Sequence, residues 1–233
     1  MGKSSRKWIT HYSSSHDILL VGEGNFSFSA CLASAFGTAT NVVATSLDSE
    51  ETLLRKYGSD IKTTLEELKE LGCSVMHGVD VMTMSQHPLL CHTLFDRIVF
   101  NFPHAGFQYS RDKSSKLHQN LVRRFLRNAK ELFVENGEIH ITHKISYPYS
   151  EWEIEEVAEE EDLFLREEVE FNEGDYPGYV NKKGSGPNSN RTFAVGLCST
   201  FKFVKTLSKK TRKKRLAKAA EFAQLNASSM SLS

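Results

Sequence analysis

The stretch ILLVGEGNFSFS, residues 18–29, constrains this chain more than any other, because an apolar run meets two glycines and passes at once into small, helix-compatible residues. The run reads as a buried strand, and residues 27–36 continue as a helix. Gly22 and Gly24 let the backbone turn tightly between the two. Strand, tight turn and helix in that order leave free backbone amides beside whatever occupies the turn. The segment therefore predicts a nucleotide-type cofactor site in an α/β protein, with Gly22, Glu23, Gly24, Asn25, Phe26 and Ser27 as its first contacts.

Two ligand classes use such a turn. Dinucleotide folds set a pyrophosphate on it, and methyltransferases pack the methionine and ribose of S-adenosylmethionine against it. The glycines alone do not choose, but the dinucleotide fingerprint wants a third glycine where this chain continues with Asn25, Phe26 and Ser27, so close pyrophosphate packing is disfavoured. The next strand, 41–47, ends at Asp48, where a carboxylate can accept hydrogen bonds from both ribose hydroxyls. The alternative is that Asp48, in the run Asp48-Ser49-Glu50-Glu51, caps the following helix.

Further along, helices are expected over 50–57 and 61–71, with Gly72 at the stop, then a strand at 74–79 closed by Asp80 and another at 94–100. A long helix is expected over 114–133, ended by Asn136-Gly137, then a strand at 138–143. A helix at 152–158 and strands at 163–171 and 191–197 follow, the last two joined by the polar loop 178–190. Repeated β-α alternation implies a mostly parallel, doubly wound sheet that binds ligands at the carboxyl ends of its strands. Gly22, Gly24, Asp48, Asp80 and Asn101 all fall there. The two closing strands bring the total to seven and fit a methyltransferase sheet, a class in which the last pair forms an antiparallel hairpin at one edge; the loop between them would overhang the ligand. Phe26, Phe28 and Phe36 share a helix side and read as core.

The chain of 233 residues suits one sizeable core. It divides into a polar extension at 1–16, a domain at 17–203 and a basic tail at 204–233. A formal net charge of zero hides segregation: residues 151–170 are acidic, whereas Lys209, Lys210, Arg212, Lys213, Lys214, Arg215 and Lys218 crowd the tail. Glu153 to Glu161 reads as a solvated helix face. The cysteines, Cys31, Cys73, Cys91 and Cys198, lie far apart, which supports neither a zinc knuckle nor a disulfide framework and fits a reducing compartment. His87, Cys91 and His92 match no closed tetrahedral set, so no metal is expected. The amino terminus lacks an apolar core and no run reaches membrane-spanning length, so a soluble protein without a membrane partner is expected.

The second chemical signal is NFPH, Asn101 to His104, directly after the fourth strand. Asn101 can meet a base edge, Phe102 offers a stacking face, Pro103 stiffens the turn, and His104, with a near-neutral reference pKa, can accept the proton of a ring N–H. The plainer alternative is that these residues only end a strand and shape a turn. Phe102 and Phe107 are the stacking candidates, and Tyr109, Tyr176 and Tyr179 are placed at the same mouth.

VGEGNFSFS, TSLDSEE, FDRIVFNFPHAG and the late DYPGY together resemble the ribosomal RNA uridine-N3 methyltransferase-like family, over residues 17–203. The resemblance implies a Rossmann-like class I methyltransferase fold, S-adenosylmethionine as methyl donor, and uridine in large-subunit ribosomal RNA or pre-ribosomes as substrate. It makes Asn101, Pro103 and His104 the catalytic candidates. Leu20 stands where methyltransferases commonly carry an acidic residue, and Phe26 where they carry a third glycine. Lys182, Lys183 and Arg191 are placed to guide RNA. The tail motif KKTRKKR reads as an RNA contact, a nuclear import signal or both, and with the resemblance points to the nucleus and nucleolus. Two other readings fit the motifs: a methyltransferase of another base or a protein, and a non-catalytic RNA-binding member.

Overall fold

The computed structural model describes residues 6–106 and 111–206. Phe107, Tyr109 and the basic run of the tail lie outside the described residues.

The chain runs β1 (Trp8–Ile9), β2 (Tyr12–Ser13), β3 (Ile18–Val21), α1 (Ser27–Phe36), β4 (Val42–Thr45), α2 (Glu50–Tyr57), α3 (Asp60–Glu70), β5 (Ser74–Met76) and β6 (Phe95–Asn101). It continues through α4 (Arg111–Ala129), β7 (Phe133–Lys144), α5 (Ile154–Glu159), β8 (Phe164–Glu170) and β9 (Cys198–Val204). Seven strands form one sheet in the order β5-β4-β3-β6-β7-β9-β8. The pairs among β3 to β7 are parallel, and β9 runs antiparallel to both β7 and β8. This is the doubly wound sheet that the β-α alternation predicts, with the antiparallel edge hairpin expected of a methyltransferase sheet.

Both faces of the sheet are covered, which is why β3 is apolar at every position and wholly buried. Ile18 and Leu20 join Phe28, Leu32, Leu53 and Leu68 on one side. Leu19 and Val21 join Phe100, Phe125, Ile141 and Phe203 on the other. Helix ends follow local chemistry. Gly37 takes φ 74 after α1 and returns its amide to Ala33 O and Ser34 O, and the Ser49 side chain accepts from the Thr52 amide to start α2.

Three expectations are corrected. The helix expected to reach residue 133 stops at Ala129, and residues 133–137 belong to β7, with a register irregularity against β6 between Phe95 and Arg97. Gly137 is needed inside that strand, since a Cβ there would lie 2.9 Å from the Phe133 ring and 3.1 Å from Asp96 O. The last strand is residues 198–204, not 191–197. CSTFKFV lies between two strands with six of its seven residues buried, whereas 191–197 stays irregular over the cleft.

Glu153, Glu156, Glu159 and Glu160 are exposed, as a solvated face requires, but the far end of the acidic run also makes ion pairs. Arg123 pairs with Glu160 at 2.5 Å, Arg127 with Glu161 at 2.7 Å and Lys130 with Asp162 at 3.1 Å, so its far end docks α5 and the turn after it on the basic side of α4. Spacings of three and four residues put Arg123, Arg127 and Lys130 on one helix face, but only the fold opposes the two runs.

Residues 8–13, set apart by the sequence in a polar extension, form a hairpin that packs on the domain. Tyr12 is fully buried, and its hydroxyl lies 3.1 Å from His140 Nδ1.

Candidate functional site

Beyond the carboxyl ends of β3, β4 and β6 opens a cavity of about 520 Å³. Of the six turn residues, Gly22, Glu23, Gly24 and Asn25 line it. Gly22 has φ 67, and a Cβ there would come within 2.4 Å of the Phe100 ring, so this position requires glycine. At Gly24 a Cβ would stand 2.8 Å from Tyr57 Oη, and any longer side chain would enter the cavity.

Glu23 takes a different part from the one its position suggests. Its Oε2 accepts from Ser29 N at 3.2 Å and Ser29 Oγ at 2.6 Å, so the carboxylate holds the first turn of α1. Burial pushes its pKa up, opposed by those two bonds. Phe26 and Ser27 do not line the cavity. Phe26 is buried in the core at φ 56, a left-handed conformation held by packing where a glycine would be free of strain. Ser27 Oγ instead meets both the N–H and the carbonyl of Val180, on the loop above.

Asp48 is half-buried on the cavity wall and does not cap α2, since Ser49 does. Its Oδ2 accepts from Lys56 Nζ at 2.6 Å, and the same ammonium donates to Gly184 O at 2.9 Å. One lysine thus ties the end of β4 to the overhanging loop. Asp80 also lines the cavity, with one carboxylate oxygen accepting from Met82 N at 2.8 Å. Two buried polar atoms on this wall, Tyr57 Oη and Asn101 Oδ1, have no hydrogen-bond partner among the described residues. Burial, then the nearby Asp48 and Glu23 charges, push the Tyr57 hydroxyl up to about 12, so it is a neutral donor.

Asn101, Phe102 and His104 close the opposite side of the cavity. Phe102 sits at φ 49, edge-on to Phe171 and Phe193 at 5.6 and 5.3 Å, so its ring is already packed between two others. Pro103 is buried and lines a second, adjacent hollow. His104 Nδ1 accepts from Gly106 N at 3.0 Å. Burial, then the neighbouring His118, lowers its pKa to about 4. The ring is therefore neutral near pH 7, and with Nδ1 accepting from Gly106 its proton sits on Nε2.

The loop after β8 roofs the site. Tyr179, Lys182 and Lys183 line the cavity, while Arg191 lies outside it, exposed, with its backbone carbonyl accepting from Lys183 N. Tyr176 is buried against Phe171 and Tyr12, away from the mouth. No group of three or more His, Cys, Asp or Glu among the described residues could hold a metal ion, and none of the described helices is long and apolar enough to cross a membrane. Lys56, Tyr57, His143 and Trp152 carried no sequence signal of their own. The first two are visible in retrospect as the last turn of the helix that starts beside Asp48.

The S-adenosylmethionine implied by the motifs fits this wall. A glycine cradle, a carboxylate at the end of the second parallel strand and an orphaned amide oxygen at the end of the fourth all face one cavity.

Comparison with known proteins agrees. A family described as rRNA (uridine-N3-)-methyltransferase BTM5-like matches residues 19–183. An uncharacterised protein of Arabidopsis thaliana is 54% identical over 207 residues, covering 87% of this chain and 99% of its own. The 25S rRNA (uridine(2634)-N(3))-methyltransferase of Saccharomyces cerevisiae is 22% identical over 255 residues, covering 85% of this chain and 76% of its own. Among solved structures, a methyltransferase from Pyrococcus furiosus superposes with a TM-score of 0.51 at 14% identity, covering 82% of this chain and 76% of that one, a likeness of fold.

Proposed function

Because the chain belongs to the BMT5-like family of rRNA (uridine-N3-)-methyltransferases, we propose that it methylates N3 of a uridine in large-subunit ribosomal RNA. The family makes it an S-adenosylmethionine-dependent methyltransferase; the nucleoside and the RNA are the finer reading. The observation that supports it best is the convergence of the GEG turn, Asp48, Asp80, Asn101, Phe102 and His104 on one cavity. The yeast relative, which by its name acts on 25S rRNA, supports the substrate and a nucleolar location.

When bound, the cofactor supplies an electrophilic methyl group on a sulfonium sulfur. Gly22 and Gly24 would hold its amino-acid end by backbone, with the Asn101 amide oxygen as acceptor for its ammonium, Asp48 as acceptor for the ribose hydroxyls, and Asp80, Val81 and Met82 beside the adenine. Phe102, Pro103 and His104 form the wall between cofactor and base, where the His104 imidazole donates to a base carbonyl. Lys182, Lys183 and Arg191 guide the RNA strand by its phosphates.

Asp48→Ala is expected to weaken S-adenosylmethionine binding about tenfold to a hundredfold, as loss of charge-assisted hydrogen bonds costs about 1.5–3 kcal/mol. Unchanged affinity with faster hydrogen exchange at residues 182–186 would reduce Asp48 to an anchor for Lys56. The function itself is tested by incubating the protein with S-adenosylmethionine and large-subunit rRNA lacking the mark, then digesting to nucleosides for mass spectrometry. N3-methyluridine in the wild type, reduced at least about a hundredfold in Asn101→Ala, is expected. Methyl on another base or on protein, or none despite cofactor binding, rejects the uridine reading.

A further inference from the structure

The loop that roofs the cofactor cavity is tied down at two points, and both ties end on the wall of that cavity. Val180 is held over the glycine turn, its carbonyl accepting from Asn25 Nδ2 at 3.0 Å and its amide donating to Ser27 Oγ at 3.0 Å. Gly184 is held over the end of β4, its carbonyl accepting at 2.9 Å from the same Lys56 ammonium that donates to Asp48 Oδ2 at 2.6 Å. Between the ties, residues 181–183 form a short strap. Lys182 and Lys183 on it line both the cofactor cavity and the adjacent hollow beyond Phe102, Pro103 and His104.

Lys56 joins segments that only the fold brings together, Asp48 lying 8 residues away in the chain and Gly184 lying 128 away. An ion pair this exposed adds little to stability, so the bridge matters for what it connects. Among the described residues Asp48 Oδ1 meets no donor, and the Asp48 and Lys56 side chains each remain 23% exposed. The carboxylate can therefore take ribose hydroxyls on one oxygen while the lysine holds the other. The loop, in turn, is braced mainly against itself. Lys183 N donates to Arg191 O and Gly184 N to Ser189 O, each at 3.0 Å, and Lys182 Nζ donates to Asn190 O at 2.8 Å. Gly178 and Gly196 bracket it at φ 83 and 64, with open space where a Cβ would stand, so the braced piece has two places at which to pivot.

We propose that Lys56 is a positioning residue that couples cofactor and RNA: the cofactor ribose fixes the Asp48 carboxylate, the carboxylate fixes the Lys56 ammonium, and through Gly184 the ammonium sets the strap that presents Lys182 and Lys183 to RNA phosphates. The inference rests on the methyltransferase reading above and adds to it a linkage between its two ligands. Such a linkage is reciprocal, so whatever factor the cofactor adds to RNA affinity, RNA adds to cofactor affinity. Two plainer roles make different predictions. A lysine that only neutralises Asp48 alters cofactor affinity and leaves the strap alone. A lysine that only braces the loop alters the strap equally with and without cofactor.

The test titrates a fluorescently labelled oligouridylate against the full chain, alone and saturated with S-adenosylhomocysteine, which carries the same ribose without the transferable methyl. The wild type is expected to bind the oligomer at least about fivefold tighter when saturated, the low end of ordinary coupling between sites. Lys56→Met should bring that ratio to about one while still binding S-adenosylhomocysteine, and Lys56→Arg, which can bridge the same two oxygens, should keep part of it. Hydrogen exchange at the Lys183 and Gly184 amides gives a second readout: S-adenosylhomocysteine should slow it in the wild type and leave it unchanged in Lys56→Met. No binding of the oligomer, a wild-type ratio near one, a ratio undiminished in Lys56→Met, or exchange that responds equally in the two proteins overturns the proposal. So does a Lys56→Met protein that no longer binds S-adenosylhomocysteine, since Lys56 would then belong to the cofactor site itself. Calorimetry with S-adenosylhomocysteine and S-adenosylmethionine on the wild type separates the two levels. Binding without coupling would reject the linkage alone, whereas absence of binding would reject the methyltransferase reading on which it rests.

Discussion

Gly24→Arg is expected to abolish S-adenosylmethionine binding, lowering affinity at least about a hundredfold, or about 2.8 kcal/mol, while leaving the protein folded. Gly24 has an ordinary backbone conformation, so strain is not the cause. Its Cβ would stand 2.8 Å from Tyr57 Oη, and the rest of the side chain has nowhere to go but the cavity. Gly24→Ala should lose less, because the Tyr57 ring tip can shift. Gly22→Ala should behave differently again and lower the thermal midpoint, since φ 67 and the 2.4 Å approach of Phe100 make that glycine structural. Calorimetric titration with thermal denaturation on the three variants checks the set. Undiminished affinity in Gly24→Arg would place the cofactor elsewhere.

Glu138→Gln carries the largest expected effect on stability. Glu138 is 6% exposed beneath the amino-terminal hairpin. Its Oε2 lies 2.9 Å from His140 Nε2 and 3.2 Å from Arg97 Nε, the latter an ion pair without hydrogen-bond alignment, and Oε1 accepts from Arg166 at 2.6 Å. Burial pushes the carboxyl up, but the His140 hydrogen bond and the charges of His140, Arg97 and Arg166 prevail and hold it at about 2. Removing one member of a buried charge cluster strands the others, at a cost of about 3–5 kcal/mol. Arg166 is more than half exposed and screened, so the lower end applies. That corresponds to a midpoint roughly 6–12 °C lower for a chain of this size. A depressed carboxylate stabilises above its unfolded value of 4.5 and loses that contribution as pH falls toward about 2, so the variant should also show a flatter acid limb below pH 4.5. A midpoint within a degree or two of wild type, with the acid limb intact, would show that the cluster contributes little.

The tail motif, the stacking candidate Phe107 and the nuclear address remain proposals read from sequence. The site residues around the turn and NFPH divide more sharply. Gly22, Gly24, Asn25, Asp48, Asp80, Asn101, Phe102 and His104 meet at one cavity, as their strand-end positions predict. Phe26 and Ser27 were named by adjacency in sequence, and the fold turns one into the core and the other toward Val180.

The sheet, and the edge of it where the cavity opens, are legible in the order of residues alone. Residues 18–21 and 98–100 are continuous apolar stretches followed by a glycine turn and by Asn101, a signal contained within each segment, and the parallel order follows from helices between strands. Which polar groups are buried, and what they meet, depends on how the layers pack. Tyr12 finds His140 across 128 residues of chain, and Arg127 finds Glu161 across 34. His143 and Trp152, from a strand and a turn, line one hollow, with His118 of α4 stacked on Trp152. Periodicity reports the face a residue takes on its own element. The dielectric around a side chain, the proton an imidazole keeps and the partner of a carboxylate are set by atoms brought close only when the layers pack, and no local window of sequence contains them.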